Sequence, residues 1–421
     1  MVPLTMFTTY GVVTEMTGGR TATAYLITLL AMLFTAASYS FMVRKYPISG
    51  SAYSYTSLSF GPVVGFLSGW SLLLDYLFLP MINYLLIGLF MNIAFPEIPA
   101  WMFVVASIAL VTVLNVVGIS QVAGMSNVIV GAQLVFIVVF VVMSIKTLAG
   151  GAAIDFSLPF VGDGSQPGFA PLMAGAAVLC LSFLGFDAVS TMAEETRDAR
   201  RDIPRAIIIT TVIAGLMFTL LAIISQLVFP GSVFQNADSA ANEVMLKAGG
   251  QFLGNFFTSA YIAGCIGSAL ASQASVSRII FTMGRDGILP RSLFGTLHAR
   301  FQTPVVAILV VSAVSLLAIV LDLTTLASMI SFGALVAFSV VNLAVIRTYL
   351  GVERRRGAKN VLLYGAIPFI GLCLTLWLWT SLSQLTLVVG LSWFAVGFAY
   401  LAVHTGGFRR KAPSVNFEEN A

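Results

Sequence analysis

Long apolar stretches of about 20 residues alternate with short polar clusters along almost the whole chain. An α-helix of that length crosses the hydrocarbon core of a bilayer, so each stretch is predicted to be a transmembrane helix. The pattern indicates an all-α polytopic membrane protein with twelve spans. In chain order, the spans cover Pro3 to Met16, Thr21 to Val43, Gly61 to Phe90, Ile98 to Gly118, Met125 to Ile145, Phe169 to Met192, Ile203 to Val228, Phe252 to Met283, Pro304 to Leu321, Leu326 to Ile346, Val361 to Thr380 and Leu385 to Val403.

The composition agrees with lipid as the main solvent. Of the 421 residues, 58% are hydrophobic and 9% are charged, whereas a soluble domain carries about 25% charged residues. So few charges cannot cover a surface that faces water. Cys180, Cys265 and Cys373 all lie inside apolar stretches, so no extracellular disulfide framework is expected.

The basic residues predict the orientation of the chain. If Arg44 and Lys45 lie in the cytoplasm, all of the 21 Lys and Arg residues except Arg20, Lys146 and Lys247 fall in cytoplasmic segments. This positive-inside bias places the C-terminus in the cytoplasm and the protein in the inner (plasma) membrane. The net charge of +4 is therefore a topology signal, and we expect no nucleic-acid partner.

The first apolar stretch begins directly at Pro3, with no basic leader before it. It lacks the charged region and the small-residue cleavage site of a signal peptide. We expect this N-terminally truncated span to be the second half of a helix whose first half belongs to an upstream segment.

Two connections longer than a turn occur at matching places in the two halves of the chain, Tyr46 to Phe60 and Pro230 to Gly250. The first should face the cytoplasm and the second the outside, an arrangement typical of an inverted repeat of five spans each. The predicted boundaries are 1–403 for a single transporter domain, about 1–147 and 169–348 for the repeats, 361–403 for two extra helices and 404–421 for a cytoplasmic tail.

Spans 1 and 6 each contain residues that interrupt a membrane helix. Span 6 carries Gly185 and Asp187, and span 1 opens with Pro3 and carries Gly11. In an inverted-repeat transporter, such paired breaks leave backbone carbonyls and amides free to bind a substrate near the midplane. The candidate substrate-binding residues at the breaks are Thr5, Met6, Thr8, Cys180, Leu181, Ser182, Leu184, Gly185 and Asp187.

The two breaks suit a zwitterion or an amine as substrate. Carbonyls before the break in span 6 would accept hydrogen bonds from an ammonium, and amides near Thr5 and Met6 would donate to a carboxylate. A single glycine in a membrane helix more often serves close helix packing, but two breaks at corresponding positions favour a binding site.

Two carboxylates fall inside the predicted spans, where each must face a partner or water. Asp187 directly follows the break, so it is a candidate both for capping the half-helix after the break and for binding substrate or a proton. Asp75 lies near the middle of span 3, beside Tyr76, whose ring can attract an ammonium. Adjacent helical residues point about 100° apart, so we expect only one of this pair to face the substrate. We favour Tyr76 for that role and place Asp75 in coupling or gating.

The remaining polar residues give no basis for enzyme chemistry. Glu194 and Glu195 begin a charged cytoplasmic cluster, which is either a set of solvated ion pairs or a coupling or gating element. His298 and His404 both lie in cytoplasmic segments, so no histidine relay is available inside the membrane. Motifs for ATP binding, a serine nucleophile or zinc are absent, and we expect no cofactor and no metal.

Several short motifs of a known type are distributed along the chain from the end of the second span to the start of the ninth. They are Tyr46-Pro47 with Gly50-Ser51-Ala52-Tyr53, Gly69-Trp70 with Leu74-Asp75-Tyr76, Phe183 to Ala188 with Glu194-Glu195-Thr196, Arg201-Asp202-Ile203-Pro204, Met283 to Gly287, and Thr303-Pro304. Together they resemble the amino acid, polyamine and organocation (APC) transporter superfamily over essentially the whole chain. The stretch from Tyr76 to Asn83 is similar to that of the bacterial putrescine importers in this superfamily.

The resemblance implies the broken-helix inverted-repeat fold, alternating access, and symport driven by an ion gradient, most often of protons. Putrescine or a related amine is the substrate that it implies. Two positions depart from the family patterns. The putrescine importers carry an aspartate at the position of Thr8, so a counter-charge for a diamine is missing here. The cationic amino acid branch carries a lysine at the position of Gln133, which makes Gln133 a candidate coupling residue.

Other functions remain as alternatives. An amino acid permease of the same superfamily would need the amides at the break of span 1 to hold a carboxylate. A channel would need a continuous polar pore, whereas each half of the chain offers isolated polar groups at its break. A membrane enzyme would need convergent catalytic groups, which the sequence does not offer.

Overall fold

The computed structural model describes residues 3–48, 51–118, 122–150, 154–193, 196–285, 287 and 289–405, without the side chains of 122–126. Within these ranges every regular element is a helix. The α-helices are α1 (Tyr10–Thr17), α2 (Thr21–Lys45), α3 (Ser51–Phe60), α4 (Pro62–Ala94), α5 (Ala100–Val117), α6 (Val122–Ala149), α7 (Leu158–Val161), α8 (Ala170–Phe183), α9 (Ala199–Val228), α10 (Ala240–Arg285), α11 (Arg291–Phe294), α12 (Val305–Ser315), α13 (Leu323–Val345), α14 (Ala358–Val361), α15 (Ile367–Thr380) and α16 (Gln384–His404). The 3₁₀-helices cover Pro3–Thr8, Asp187–Met192, Ala237–Ser239 and Leu316–Ile319, and π-helices cover Ile346–Val352 and Leu362–Ala366.

Ten helical segments in the described ranges are long and apolar enough to cross a membrane. The chain is therefore a multi-pass membrane protein, as the sequence predicted. The two remaining predicted spans are shorter. The first consists of the 3₁₀-helix Pro3–Thr8 followed by α1, and the ninth is the apolar segment Val305–Ile319.

Helix α10 begins before the predicted eighth span because it contains two helices that meet at a kink. Gly249 and Gly250 have non-helical backbone angles there, and Gly250 lies in the left-handed region at φ 63°. The helical residues before the kink belong to the connection that the sequence placed between Pro230 and Gly250.

The central helices of the bundle are buried, and the peripheral ones expose apolar side chains. In α13 with its following π-helix, 78% of the most apolar 18-residue stretch is buried, compared with 22% of the corresponding stretch in α5 and in α16. Exposed side chains such as Val113 and Val138 are hydrophobic. Because lipid tails are as apolar as these side chains, such faces are suited to contact with the bilayer.

Hydrogen bonds between polar side chains connect the buried helices. In a bilayer the hydrophobic effect does not drive helices together, so such bonds contribute to the association of the helices. The Asn342 amide of α13 accepts a hydrogen bond of 2.6 Å from Ser38 of α2. Gln273 of α10 donates to Ser312 of α12 and accepts from Asn115 of α5, both at 2.7 Å. These bonds hold α2 to α13, and α10 to α5 and α12.

The two ends of α2 lie in different surroundings. At one end, Lys45 forms an ion pair with Glu353, which follows the π-helix after α13. We call this side of the bundle the basic end. At the other end, Arg20 donates hydrogen bonds to the backbone carbonyls of Gln166 and Gly168. We call that side the Arg20 end.

Loops at the Arg20 end are fastened to α1 and to one another. The Glu15 carboxylate of α1 accepts a hydrogen bond of 3.2 Å from the amide of Phe234, and Asp163 accepts one from the hydroxyl of Ser232. Hydrogen bonds from Ser165 and Ser232 hold the pKa of Asp163 below its ordinary value. The carboxylate therefore stays charged and keeps the two loops together at neutral pH.

Trp70 of α4 and Trp393 of α16 form a reciprocal pair. Each indole N–H donates to the backbone carbonyl of the other residue, at 2.9 and 2.8 Å, and the rings stack with centroids 4.8 Å apart. Gly397 lies one turn after Trp393, and a Cβ at this position would come within 2.3 Å of Trp70 Cδ1. The glycine therefore permits the close approach of α16 to α4.

We predict that Gly397→Ala lowers the melting temperature of the purified protein in detergent, because the added methyl group collides with the Trp70 ring. Gly131→Ala in α6 is the matched control, since nothing lies within 4 Å of its Cβ position. Alanine is favoured over glycine in a helix by about 1 kcal/mol, so the control should be neutral or slightly stabilising. Equal melting temperatures for the two variants would contradict the packing role of Gly397.

Candidate functional site

Helix α8 ends at Phe183, inside the predicted sixth span. Leu184 is extended at φ −59° and ψ 138°, and Gly185 has φ 107°. Residues with a side chain rarely adopt such a positive φ, so the interruption favours glycine at this position. A 3₁₀-helix continues the chain from Asp187. The break that the sequence predicted in span 6 is therefore present.

The Asp187 carboxylate binds a backbone amide at the break. Its Oδ1 accepts a hydrogen bond of 3.2 Å from the N–H of Gly185. Asp187 is the first residue of the 3₁₀-helix that follows the break. The carboxylate therefore turns back to the residue that makes the break, and the capping and binding roles considered from the sequence both stay predictions.

The first described segment is irregular too. Pro3–Thr8 is a 3₁₀-helix, Thr9 has φ −116° and ψ 10°, and α1 begins at Tyr10. Thr8 Oγ1 lies 2.6 Å from the hydroxyl oxygen of Tyr261 on α10, which is a hydrogen-bond distance. This contact joins two residues that are 253 positions apart in the sequence.

A cavity of about 480 Å³ lies between the two irregular segments and helices α4, α6 and α10. It has two carboxylates in its lining and, among the described residues, no lysine, arginine or histidine. The same part of the chain holds no group of three His, Cys, Asp or Glu side chains that could bind a metal ion. The cavity therefore suits a cationic organic ligand. The predicted site residues that line it are Thr5, Thr8, Asp75, Tyr76, Gln133, Leu181, Leu184, Gly185 and Asp187.

Asp75 and Tyr76 of α4 both line the cavity, and the expectation that only one of them faces the substrate stays a prediction. The side chains of adjacent helical residues point about 100° apart, and the cavity is wide enough for both of them to line it. Asp75 is 7% exposed, and its Oδ1 has no hydrogen-bond partner among the described residues. Asp75, Tyr76 and Asp187 are close enough to interact electrostatically. We call these three residues the acidic end of the cavity.

Three predicted site residues, Met6, Cys180 and Ser182, do not line the cavity and are buried behind its wall. The Tyr25 hydroxyl lies 3.2 Å from Ser182 Oγ and 3.4 Å from the Met6 carbonyl oxygen. Successive residues of a helix point in different directions, and the sequence did not show which face of each segment meets the cavity. Two further candidates, Glu194 and Glu195, lie outside the described residues.

Helix α10 supplies a wall that the sequence analysis missed. Its cavity face consists of Tyr261, Gly264, Cys265, Gly267, Ser268, Ala271, Ser272 and Ser275. Small residues recur here at intervals of three and four, which places them on one face of a helix. This periodicity, together with a tyrosine in an apolar span, is the signal that could have identified the wall. Asn83 of α4 is another missed polar residue.

Aromatic side chains pack around the ring of Tyr261. Phe90 and Phe257 pack against the Tyr261 ring with centroids 4.9 and 5.1 Å away, and Phe7 packs on Phe257 at 5.5 Å. All three phenylalanines are buried. Together with the bond between Thr8 and Tyr261, they form a packed aromatic cluster at the Tyr261 side of the cavity.

Comparison with known proteins agrees with this geometry. The profile of the family described as "Amino acid permease" matches residues 1–405. The low-affinity putrescine importer PlaP of Escherichia coli strain K12 is 42% identical, over 98% of this chain and 92% of the importer. The branched-chain amino acid permease BcaP and the methylthioribose transporter, both of Bacillus subtilis strain 168, are each 27% identical, over 91% of this chain and 86% of their own lengths.

All of these relatives are transporters, and none is an enzyme by its description. The resemblance that the sequence motifs indicated is confirmed by a match that extends over nearly the whole chain. The chain therefore belongs to the amino acid permease family of membrane transporters.

Proposed function

We propose that this protein is a secondary active transporter that imports putrescine or a related amine by alternating access. The observation that carries the proposal is the cavity at the helix break, where two carboxylates and two tyrosines meet. The 42% identity to a putrescine importer supports the same substrate class.

The acidic end is the proposed binding place for one ammonium group. Removing a cation from water is costly unless anions or aromatic faces replace the lost hydration. Asp75 offers a carboxylate oxygen without a partner in the described residues, and Tyr76 and Asp187 line the same part of the cavity. A cation over a tyrosine ring gains up to about 2 kcal/mol when it is desolvated.

The proposed architecture is the twelve-helix inverted repeat, with the repeat boundaries predicted from the sequence. Irregular segments in both halves support it, at Pro3–Thr8 and after α8. A short helix also occupies each of the two matching connections. In the first half it is α3, and in the second half it is the part of α10 before the kink at Gly250.

In the proposed cycle, the cavity opens in turn toward each end of the bundle. Opening toward the Arg20 end requires the Thr8 and Tyr261 hydroxyls to separate, together with the phenylalanines beyond them. A proton gradient is the proposed driving force. Because a glutamine side chain does not titrate, Gln133 cannot carry that proton, and Asp75 and Asp187 are the candidates that remain in the cavity.

The proposed orientation places the basic end and the C-terminus in the cytoplasm, with the protein in the inner membrane. The support is the segregation of basic residues in the sequence, which follows the positive-inside rule.

We predict that liposomes containing the purified protein take up radiolabelled putrescine when an imposed pH gradient is acidic outside. Unlabelled putrescine should compete better than leucine or arginine, because the cavity lining has carboxylates and no basic group in the described chain. Liposomes without protein are the control. Uptake of leucine that putrescine does not inhibit would contradict the proposal and favour the amino acid permease alternative.

We predict that Gly185→Leu abolishes uptake while the protein still inserts in the membrane, because a branched side chain is strained at φ 107° and would enter the cavity wall. Gly164→Leu is the matched control, since this loop glycine also has a positive φ, of 80°, but nothing lies within 4 Å of its Cβ position. An equal loss of uptake in both variants, or full uptake by Gly185→Leu, would show that the break in span 6 is not part of the site.

A further inference from the structure

Gln133 of α6 is a buried polar residue at the cavity with an unsatisfied side chain. It is 1% exposed, and its Oε1 has no hydrogen-bond partner among the described residues. Among the cavity-lining side chains of the described residues, only those of Gln133 and Asp75 contain a buried oxygen without a hydrogen-bond partner. Leaving a buried acceptor unpaired is costly, so such an atom in a folded protein calls for an explanation.

Gly264 of α10 sets the position of the Gln133 amide. A Cβ at Gly264 would lie 2.1 Å from Gln133 Nε2, so the amide rests against the bare backbone of α10. The oxygen and nitrogen of an amide are similar in shape, and a half-turn about the last bond exchanges them. The unpaired Oε1 is thus the other polar atom of an amide whose Nε2 lies against Gly264, in a side chain that lines the cavity.

Tyr261 lies about one turn from Gly264 on the same helix. Its hydroxyl forms the hydrogen bond of 2.6 Å with Thr8, and both residues line the cavity. Gln133, Tyr261 and Thr8 thus provide three uncharged side-chain oxygens, which we call the neutral end of the cavity. An ammonium group has three N–H donors, so three oxygens can replace its lost water.

The acidic and neutral ends belong to different walls. Asp75 is on α4 and Gln133 is on α6, and α10 packs against both of these helices. Asp75 interacts electrostatically with Asp187, whereas Tyr261 interacts with Tyr25 and Cys265. The side chains that contain the two unpaired oxygens therefore reach the cavity from two different helices.

We propose that Gln133 is a specificity-determining residue that accepts a hydrogen bond from the second ammonium of a linear diamine, whose first ammonium binds at the acidic end. The inference rests on the proposed function and assigns Gln133 to substrate recognition in place of coupling. The amide oxygen is the relevant group, because the lining offers carboxylates and no cationic side chain in the described residues. Thr8 belongs to the same neutral end, which explains how a diamine is held without a third carboxylate.

A purely structural glutamine would behave differently from this one. Gln226 shows the contrast, since it accepts a hydrogen bond from Tyr10 at 3.1 Å and donates one to the Gly231 carbonyl at 3.1 Å. The Oε1 of Gln133 accepts no such bond from the described residues. Replacing Gln133 by methionine, which has a similar length, should therefore leave the melting temperature of the ligand-free protein unchanged or raise it.

The test compares putrescine with butylamine, which has the same carbon chain and a single ammonium. In Gln133→Met, we expect the affinity of the purified protein for putrescine to fall about tenfold or more, because a hydrogen bond to a charged group is lost. The affinity for butylamine should change by less than about twofold, because its one ammonium stays at the acidic end. Gln133→Glu should raise the ratio of putrescine to butylamine affinity, since it places an anion beside the second ammonium.

Gln226→Met is the control, and it should leave the ratio of the two affinities unchanged. Equal changes for both amines in Gln133→Met, or no change for either, would overturn the role of Gln133 while leaving the proposed function intact. Wild-type protein that binds neither amine would contradict the proposed function, and this inference would fall with it. A large drop in melting temperature with an unchanged affinity ratio would show that Gln133 is structural.

Discussion

A carboxylate inside a bilayer is tolerated only where protein groups or water replace the hydration that it loses. This constraint governs the arrangement around Asp75 and Asp187, which share one cavity in the middle of the bundle. The backbone groups freed at Gly185 obey the same constraint, because irregular backbone at membrane depth must be buried in protein or line a cavity. One cavity meets both requirements, because Asp75, Asp187 and the backbone at Gly185 all line it. These groups are the reason that the cavity suits a cationic ligand.

The rest of the bundle holds this cavity in place through polar contacts between helices. The bonds of Gln273 to α5 and α12 fix the helix that carries Tyr261, and those of Asn342 fix α13 against α2. The irregular first segment meets α10 through the hydroxyls of Thr8 and Tyr261. In the proposed cycle, opening toward the Arg20 end would break this hydrogen bond and the aromatic contacts around Tyr261 without unfolding a helix.

Much of the fold could be predicted from the sequence because the thickness of a bilayer sets the length of each apolar stretch. The break in span 6 was also predictable, since Gly185 and Asp187 disturb an otherwise apolar helix. The direction of each side chain was not predictable in the irregular segments, where helical periodicity fails. For that reason, Met6 was assigned to the cavity, whereas Thr5 and Thr8 of the same irregular segment line it and Met6 does not.

Other parts of the site required the structure because they depend on contacts between distant residues. Nothing in the local sequence of Thr8 indicates that Tyr261 is its partner. The small residues of α10 looked like ordinary packing residues, and Gln133 acquired a meaning only when its amide proved to be buried at the cavity without a partner in the described chain. The sequence therefore pointed to the region of the cavity, and the structure added the contacts from which its two ends are proposed.

The central claim is that the cavity binds a diamine between an acidic and a neutral end. An experimental structure of the full-length protein with putrescine bound in lipid nanodiscs tests this claim most directly. The account predicts that one ammonium lies within hydrogen-bond distance of the Asp75 carboxylate and the other within hydrogen-bond distance of Gln133. Putrescine bound outside this cavity, or bound in it with neither ammonium near Asp75, would contradict the account.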